Sequence, residues 1–192
     1  MTTPEPRTFE AVADPAQRPV VRRATVRVLV IDPRGRLLLL RDSDPNVAPD
    51  TGGSWWITPG GGIDPGEGEL DAVVRELAEE TGHVVSPTDV LGPLARRHVV
   101  HGYSDRIVDQ DDTFYAVRVP SFTVSTDGYT EEERVSLLGY RWWSPAELTT
   151  TDEEVWPVEL ADLLAAVERV ETSPRWPIAL PDAEESSVPV VS

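Results

Sequence analysis

Apolar and polar positions alternate through the first third of the chain. Arg22–Ile31 is rich in valine and alternates with arginine and threonine, the period of a strand with one face buried. Asp32-Pro33-Arg34-Gly35 has Pro at the second position of a turn, and the apolar run to Arg41 makes the pair a hairpin. Ser43–Ser54, with two prolines and two glycines, is expected as a surface loop, and Trp55–Thr58 as a short strand running into Pro59-Gly60-Gly61-Gly62. Leu70, Val73, Val74 and Leu77 then recur at helical spacing, and Gly82 closes the pattern. Val84–His101 reads as mixed strand and turn, and Thr113–Val119 and Leu137–Trp143 as strands. Ser144-Pro145-Ala146-Glu147 carries the cap Ser, the first-turn Pro and the Glu of a capping box. Leu160, Leu163, Leu164 and Val167 form a last helical stripe within Val158–Val170. Strands and helices mix without regular alternation, so the pattern predicts an α/β domain with a mixed sheet and helices packed on it.

Length and composition narrow the chemistry. The 192 residues suit one domain. Residues 1–19, with four prolines, and residues 172–192 lack periodicity and read as loose tails around a domain at 20–171. Trp176 in the second tail is the residue expected to dock on the domain or across a homodimer. There is no cysteine and no lysine, which excludes disulfides, thiolate metal sites, a P-loop lysine and Schiff-base chemistry. The net charge of −17 argues against nucleic acid as a partner. Apolar runs are too short to span a membrane, and the first residues lack a signal pattern, so a cytoplasmic location is expected.

The chemistry concentrates in Gly61–Gly82. At 100° per residue, Glu76, Glu79 and Glu80 fall within an arc of about 100° on the polar side of the helix. Like charges at this spacing repel, by about 0.2–0.5 kcal/mol per pair. A divalent cation relieves that cost, and an all-oxygen donor set suits magnesium or manganese rather than zinc. A solvated acidic face is the plain alternative. The glycine loop at the helix entry favours a ligand site, because its backbone can approach a ligand closely. Arg75 stands four residues before Glu79 to orient it, or four after Asp71 as a simple ion pair.

Gly61, Glu67, Arg75-Glu76-Leu77, Glu79-Glu80 and Gly82 reproduce the spacing of the Nudix box, with His83 where an aliphatic residue is usual. The chain thus resembles the Nudix hydrolases, and the flanking hairpin and the Trp-Trp-Ser-Pro run extend the likeness to roughly residues 20–170. The resemblance implies an α/β/α sandwich and cleavage of the pyrophosphate linkage of a nucleoside diphosphate derivative. On the family pattern Glu76, Glu79, Glu80 and the Gly60 carbonyl match metal ligands for Mg2+ or Mn2+, and Arg75 and Glu67 match residues that support the loop and helix. A further glutamate from outside the box is expected in Thr130–Glu133, with Glu133 the first choice and Glu132 the second. Arg41, Trp56 and Tyr103 are candidate substrate contacts; Trp55, Trp142, Trp143, His98 and His101 are weaker ones, each with a packing or surface role as alternative.

The substrate class stays open among a nucleoside triphosphate, a nucleotide sugar and a dinucleoside polyphosphate. Val99 stands where the family's ADP-ribose hydrolases carry proline, and Tyr103 lies slightly beyond the tyrosine of its dinucleoside polyphosphate hydrolases. A nucleotide-binding or regulatory module without hydrolysis is the second reading. The intact box acids speak against it.

Overall fold

β1 (Val20–Ile31) and β2 (Leu37–Ser43) are antiparallel but pair only at Ile31 and Leu37, next to the turn. Asp32 fixes that turn: its carboxylate accepts from the backbone N–H groups of Arg34 and Arg36, the Arg36 guanidinium and Ser121. Beyond the turn the hairpin splits. β3 (Ser54–Ile57) enters the split and pairs with β2 from Leu40 to Ser43, and the following Pro59–Ile63 loop runs along β1. The N–H groups of Val28 and Val26 donate to the carbonyls of Pro59 and Gly61, and that of Ile63 to Ala24. The structure is a computed structural model that describes residues 7–172 and 177–190.

β4 (Leu91–Gly102) and β5 (Ile107–Arg118) form an antiparallel pair, and β5 lies parallel to β1 along its whole length. β6 (Gly139–Trp143) covers the other edge of β2. The short strand β7 (Val155–Trp156) pairs parallel with β3 at the sheet edge. The result is a curled mixed sheet. The helix α1 (Glu69–Thr81) packs on one face over Val26, Val28, Val30 and Leu38. A four-residue helix, α2 (Glu133–Ser136), precedes β6, and α3 (Pro145–Thr150) follows it with the expected capping box in place. The last helix, α4 (Leu160–Thr172), covers the opposite face over Leu29, Leu37, Leu39 and Phe114. This is the α/β/α sandwich. Leu37–Leu40 is a continuous apolar run because both of its faces are covered.

Three expectations change. The buried face of α1 comprises Ala72, Val73, Glu76, Leu77, Glu80 and Thr81, whereas Leu70 is 42% exposed. Residues 177–190 are not loose: two short strands, β8 (Ile178–Ala179) and β9 (Ala183–Glu184), pair with β4. Residues 7–19 also dock, with the Val12 N–H donating to the Ser104 carbonyl. Trp176 lies outside the described residues. No helix among the described residues is long and apolar enough to cross a membrane.

Candidate active site

The split between β1 and β2 places the glycine loop beneath α1. Gly60 has φ +132°, and a Cβ there would sit 2.1 Å from the Val26 carbonyl oxygen. At Gly61 a Cβ would meet the Glu76 carboxylate at 2.7–2.8 Å. Only glycine lets this loop run between the strand and the acids. The loop and helix are then locked together by Arg75. Its Nε and Nη2 donate to the two oxygens of Glu67, both at 2.8 Å; Nη2 also reaches the Gly62 carbonyl, and Nη1 reaches Glu76 and Glu79. These bonds hold the Glu67 carboxyl down at about 2, and they push Arg75 above its ordinary value. Arg75 therefore serves Glu67, Glu76 and Glu79, with no ion pair to Asp71 among the described residues.

Glu76 and Glu80, one helical turn apart, are buried at 6% and 5% exposure. Glu80 Oε2 accepts from the Gly60 N–H at 2.7 Å. Burial raises the pKa of both carboxyls, and Glu76 raises that of Glu80 further. Glu133, at the start of α2, faces them: the three side chains offer oxygen atoms that all lie within 4.8 Å of one another. The Glu133 carboxylate is aimed by the N–H and hydroxyl of Thr130, at 2.6 and 2.9 Å. Glu79 is not part of this group; it pairs with Arg75 at 3.1 Å. The Gly60 carbonyl accepts from Arg27 Nη1 at 3.0 Å.

The acids form one side of a cavity of about 330 Å³. Arg23 and Arg27 of β1 line it, Arg27 bonded to the Gly60 carbonyl, together with Asp42, Ile57, Tyr103 and Val108. Arg7 and Arg106 complete the lining. Burial raises the Tyr103 phenol above its usual range, so it remains a neutral donor. Such an arrangement has an all-oxygen cluster beside cationic donors, the two charge types that recognise a metal–phosphate unit.

Of the candidate substrate contacts, Tyr103 lines this cavity, and Arg41 and Trp56 do not. Trp56 packs in the α4-side core with its indole N–H on Glu153, and Arg41 lies over its ring at 5.8 Å, bonded to Ser54. Trp55 stacks on Trp156 at 4.4 Å, Trp143 is core, and Trp142 packs on Phe122. His101 donates through Nδ1 to the Glu185 carbonyl, and His98 sits on the surface by Asp109 and Asp111. Arg23 and Arg27 were missed. Their signal was two arginines four apart on a valine-rich strand, and hence on one face.

A family model described as the NUDIX domain matches residues 21–165. The chain belongs to the Nudix hydrolase family. Two Nudix relatives fit different extents of it. A putative 8-oxo-dGTP diphosphatase of Bacillus subtilis is 27% identical over 63% of this chain and 66% of its own length. An RNA pyrophosphohydrolase of Marinomonas sp. is 26% identical over 77% of this chain and 93% of its own. The Nudix fold also recurs in solved structures. The Escherichia coli dihydroneopterin triphosphate pyrophosphohydrolase gives a TM-score of 0.52 at 18% identity, covering 80% of this chain and 99% of that one. A MutT protein of Methanosarcina mazei gives 0.51 at 23%, covering 82% and 99%.

Proposed function

We propose that this Nudix hydrolase is a metal-dependent pyrophosphohydrolase that cleaves the phosphoanhydride of a small nucleoside diphosphate derivative. The observation that carries the reading is the convergence of Glu76, Glu80 and Glu133 at the cavity wall, with two of the three carboxyls buried. Buried acids at this separation favour a shared cation, since burial alone drives them toward the protonated form. The donor set is all carboxylate oxygen, which fits Mg2+ or Mn2+. Glu76 and Glu80 would hold the ion, with Glu133 facing it as base and Glu79 and the Gly60 carbonyl beside them. Bound there, such an ion neutralises phosphate charge, orients the pyrophosphate and acidifies the attacking water.

The chain's own residues do the rest. Arg75 fixes Glu76 relative to the loop, so the acid need not reorganise as substrate arrives. Arg27 and Arg23 neutralise the phosphates and draw the substrate along the cavity. Glu133 accepts the proton of the water whose oxygen attacks phosphorus; the bridging P–O bond breaks and the leaving phosphate departs with its electron pair. Tyr103 and Ile57 meet the group beyond the phosphates. The eligible substrates are a nucleoside triphosphate, a nucleotide sugar and a dinucleoside polyphosphate.

A phosphate-release screen over these three classes, with Mg2+ and with Mn2+, tests the reading. Turnover of at least one class that stops on chelation is expected. Turnover that survives chelation, or none in any class, would overturn it.

A further inference from the structure

Residues 7–12 lie outside the stretch that matches the family, yet their first residue, Arg7, meets the cavity. Arg7 lines the cavity, and its side chain is only 10% exposed. Its Nε and Nη2 form a two-pronged pair with Asp105, at 2.8 and 2.7 Å. Its guanidinium lies 4.1 Å from the ring centre of Phe9 and 4.8 Å from that of Tyr103. The Arg7 backbone N–H donates to Glu132 Oε1 at 3.0 Å, so the segment reaches the same acidic turn that carries Glu133. Two further anchors hold it: Asn46 donates to the Phe9 carbonyl at 2.6 Å, and Val12 to the Ser104 carbonyl at 2.9 Å. Phe9 itself is held at φ +58°, a backbone region unfavourable for a residue with a side chain. The segment is thus fixed at several points along its length.

We propose that residues 7–12 are a built-in wall of the active site, and that Arg7 is a specificity-determining residue restricting the site to a single small nucleotide and excluding the 5′ end of an RNA. The inference rests on the pyrophosphohydrolase reading. With its pyrophosphate at the carboxylates, a substrate directs its nucleoside toward Tyr103 and Arg7. A chain continuing from the ribose runs into the wall. Arg7 does not offer that chain a phosphate site, because its paired donors are taken by Asp105. A following phosphodiester also meets Glu131 and Glu132 at the cavity rim, on a molecule of net charge −17.

The test compares the full chain with its Arg7→Ala and Val12→Pro variants. Val12→Pro removes an anchoring N–H without touching the cavity lining. kcat/KM is measured for a nucleoside triphosphate and for a 5′-triphosphorylated oligoribonucleotide, and binding of their α,β-methylene analogues by calorimetry. The unaltered chain is expected to favour the mononucleotide at least 100-fold. Each variant is expected to shrink that preference at least tenfold, through a higher KM for the mononucleotide and access for the oligonucleotide. Equal use of both substrates by the unaltered chain, or an unchanged preference in both variants, would overturn the wall. The same change of preference in the binding data without cleavage of either substrate would keep the wall and reject the hydrolytic reading. Binding of neither analogue would reject the wall as well.

Discussion

At the scale of single residues, the site depends on which carboxyl does what. Glu80 is buried, aimed by the Gly60 N–H, and adjacent to Glu76. Glu80→Gln keeps the volume and removes one carboxylate charge from the proposed metal site, so activity should fall by about 10²-fold or more while the fold persists. Adding Mg2+ should raise the melting temperature of the unaltered protein by mass action, and much less that of the variant. A variant with normal turnover would remove Glu80 from the chemistry. The loop glutamates separate just as sharply. Glu133 offers its oxygen to the cluster, whereas Glu132 is exposed and holds the Arg7 backbone. Glu133→Gln should lower kcat by about 10²–10⁴-fold, the usual contribution of a positioned base. Glu132→Gln should change kcat less than threefold, because glutamine still accepts from the Arg7 N–H. Steady-state kinetics of the two variants reads this directly, and the reverse ranking would reassign the role.

Among the elements, the two ends of the chain behave differently from their composition. β8 and β9 bring Glu185 onto Arg97, whose guanidinium is buried and pairs with both oxygens of Glu185 at 2.8 and 2.7 Å. Asp112 holds its Nε at 3.1 Å. Glu185→Ala removes the two-pronged partner of buried Arg97 and leaves Asp112 and Glu159 as its acids, so it should cost about 1.5–3 kcal/mol in denaturant unfolding. A loss below 1 kcal/mol would mean that the segment does not hold the sheet edge. None of this docking was legible in the sequence. It uses isolated residues, Arg7 with Asp105 and Glu185 with Arg97, whose partners are far along the chain and follow no period. α1 was legible in its apolar stripe and its stop at Gly82, and the support given by Arg75 and Glu67 was implied by the Nudix resemblance. The burial of its acids was not. On the helical wheel Glu80 stands about 20° from Val73, so it belongs to the edge of the inward face. Arranging the apolar positions around Leu70 had turned that edge outward. Trp56 and Arg41 misled for a related reason: a Trp-Trp pair sends one ring to each face, and only the tertiary curl says which face borders the cavity.

For the molecule as a whole, pH should act on stability through one buried histidine. His101 donates through Nδ1 to the Glu185 carbonyl and is packed against Trp156 and Tyr103. Burial, with Arg27 nearby, pushes its pKa down to about 3. In the unfolded chain the ring titrates near 6.5. Between these values the unfolded state binds a proton that the folded state refuses, so stability is full above about pH 6.5 and falls as the pH drops toward 3. The slope from this one group is about 1.4 kcal/mol per pH unit. Asp32 and Glu67, both held near 2, add losses of the same sign only at the acid end, below their unfolded values near 4. Glu76 and Glu80 act in the opposite sense, because burial raises their pKa and folding then favours proton uptake. The net curve therefore mixes signs, and a comparison isolates the histidine. His101→Phe keeps an aromatic ring against Trp156, cannot be protonated, and gives up the bond to Glu185. It should be less stable than the unaltered chain at pH 7.5. Its unfolding free energy should then fall less steeply between pH 6.5 and 5, so that the gap between the two proteins narrows by about 2 kcal/mol over that interval. Parallel curves across that interval would show that His101 titrates alike in both states and is not sealed in the sheet edge that the C-terminal strands cover.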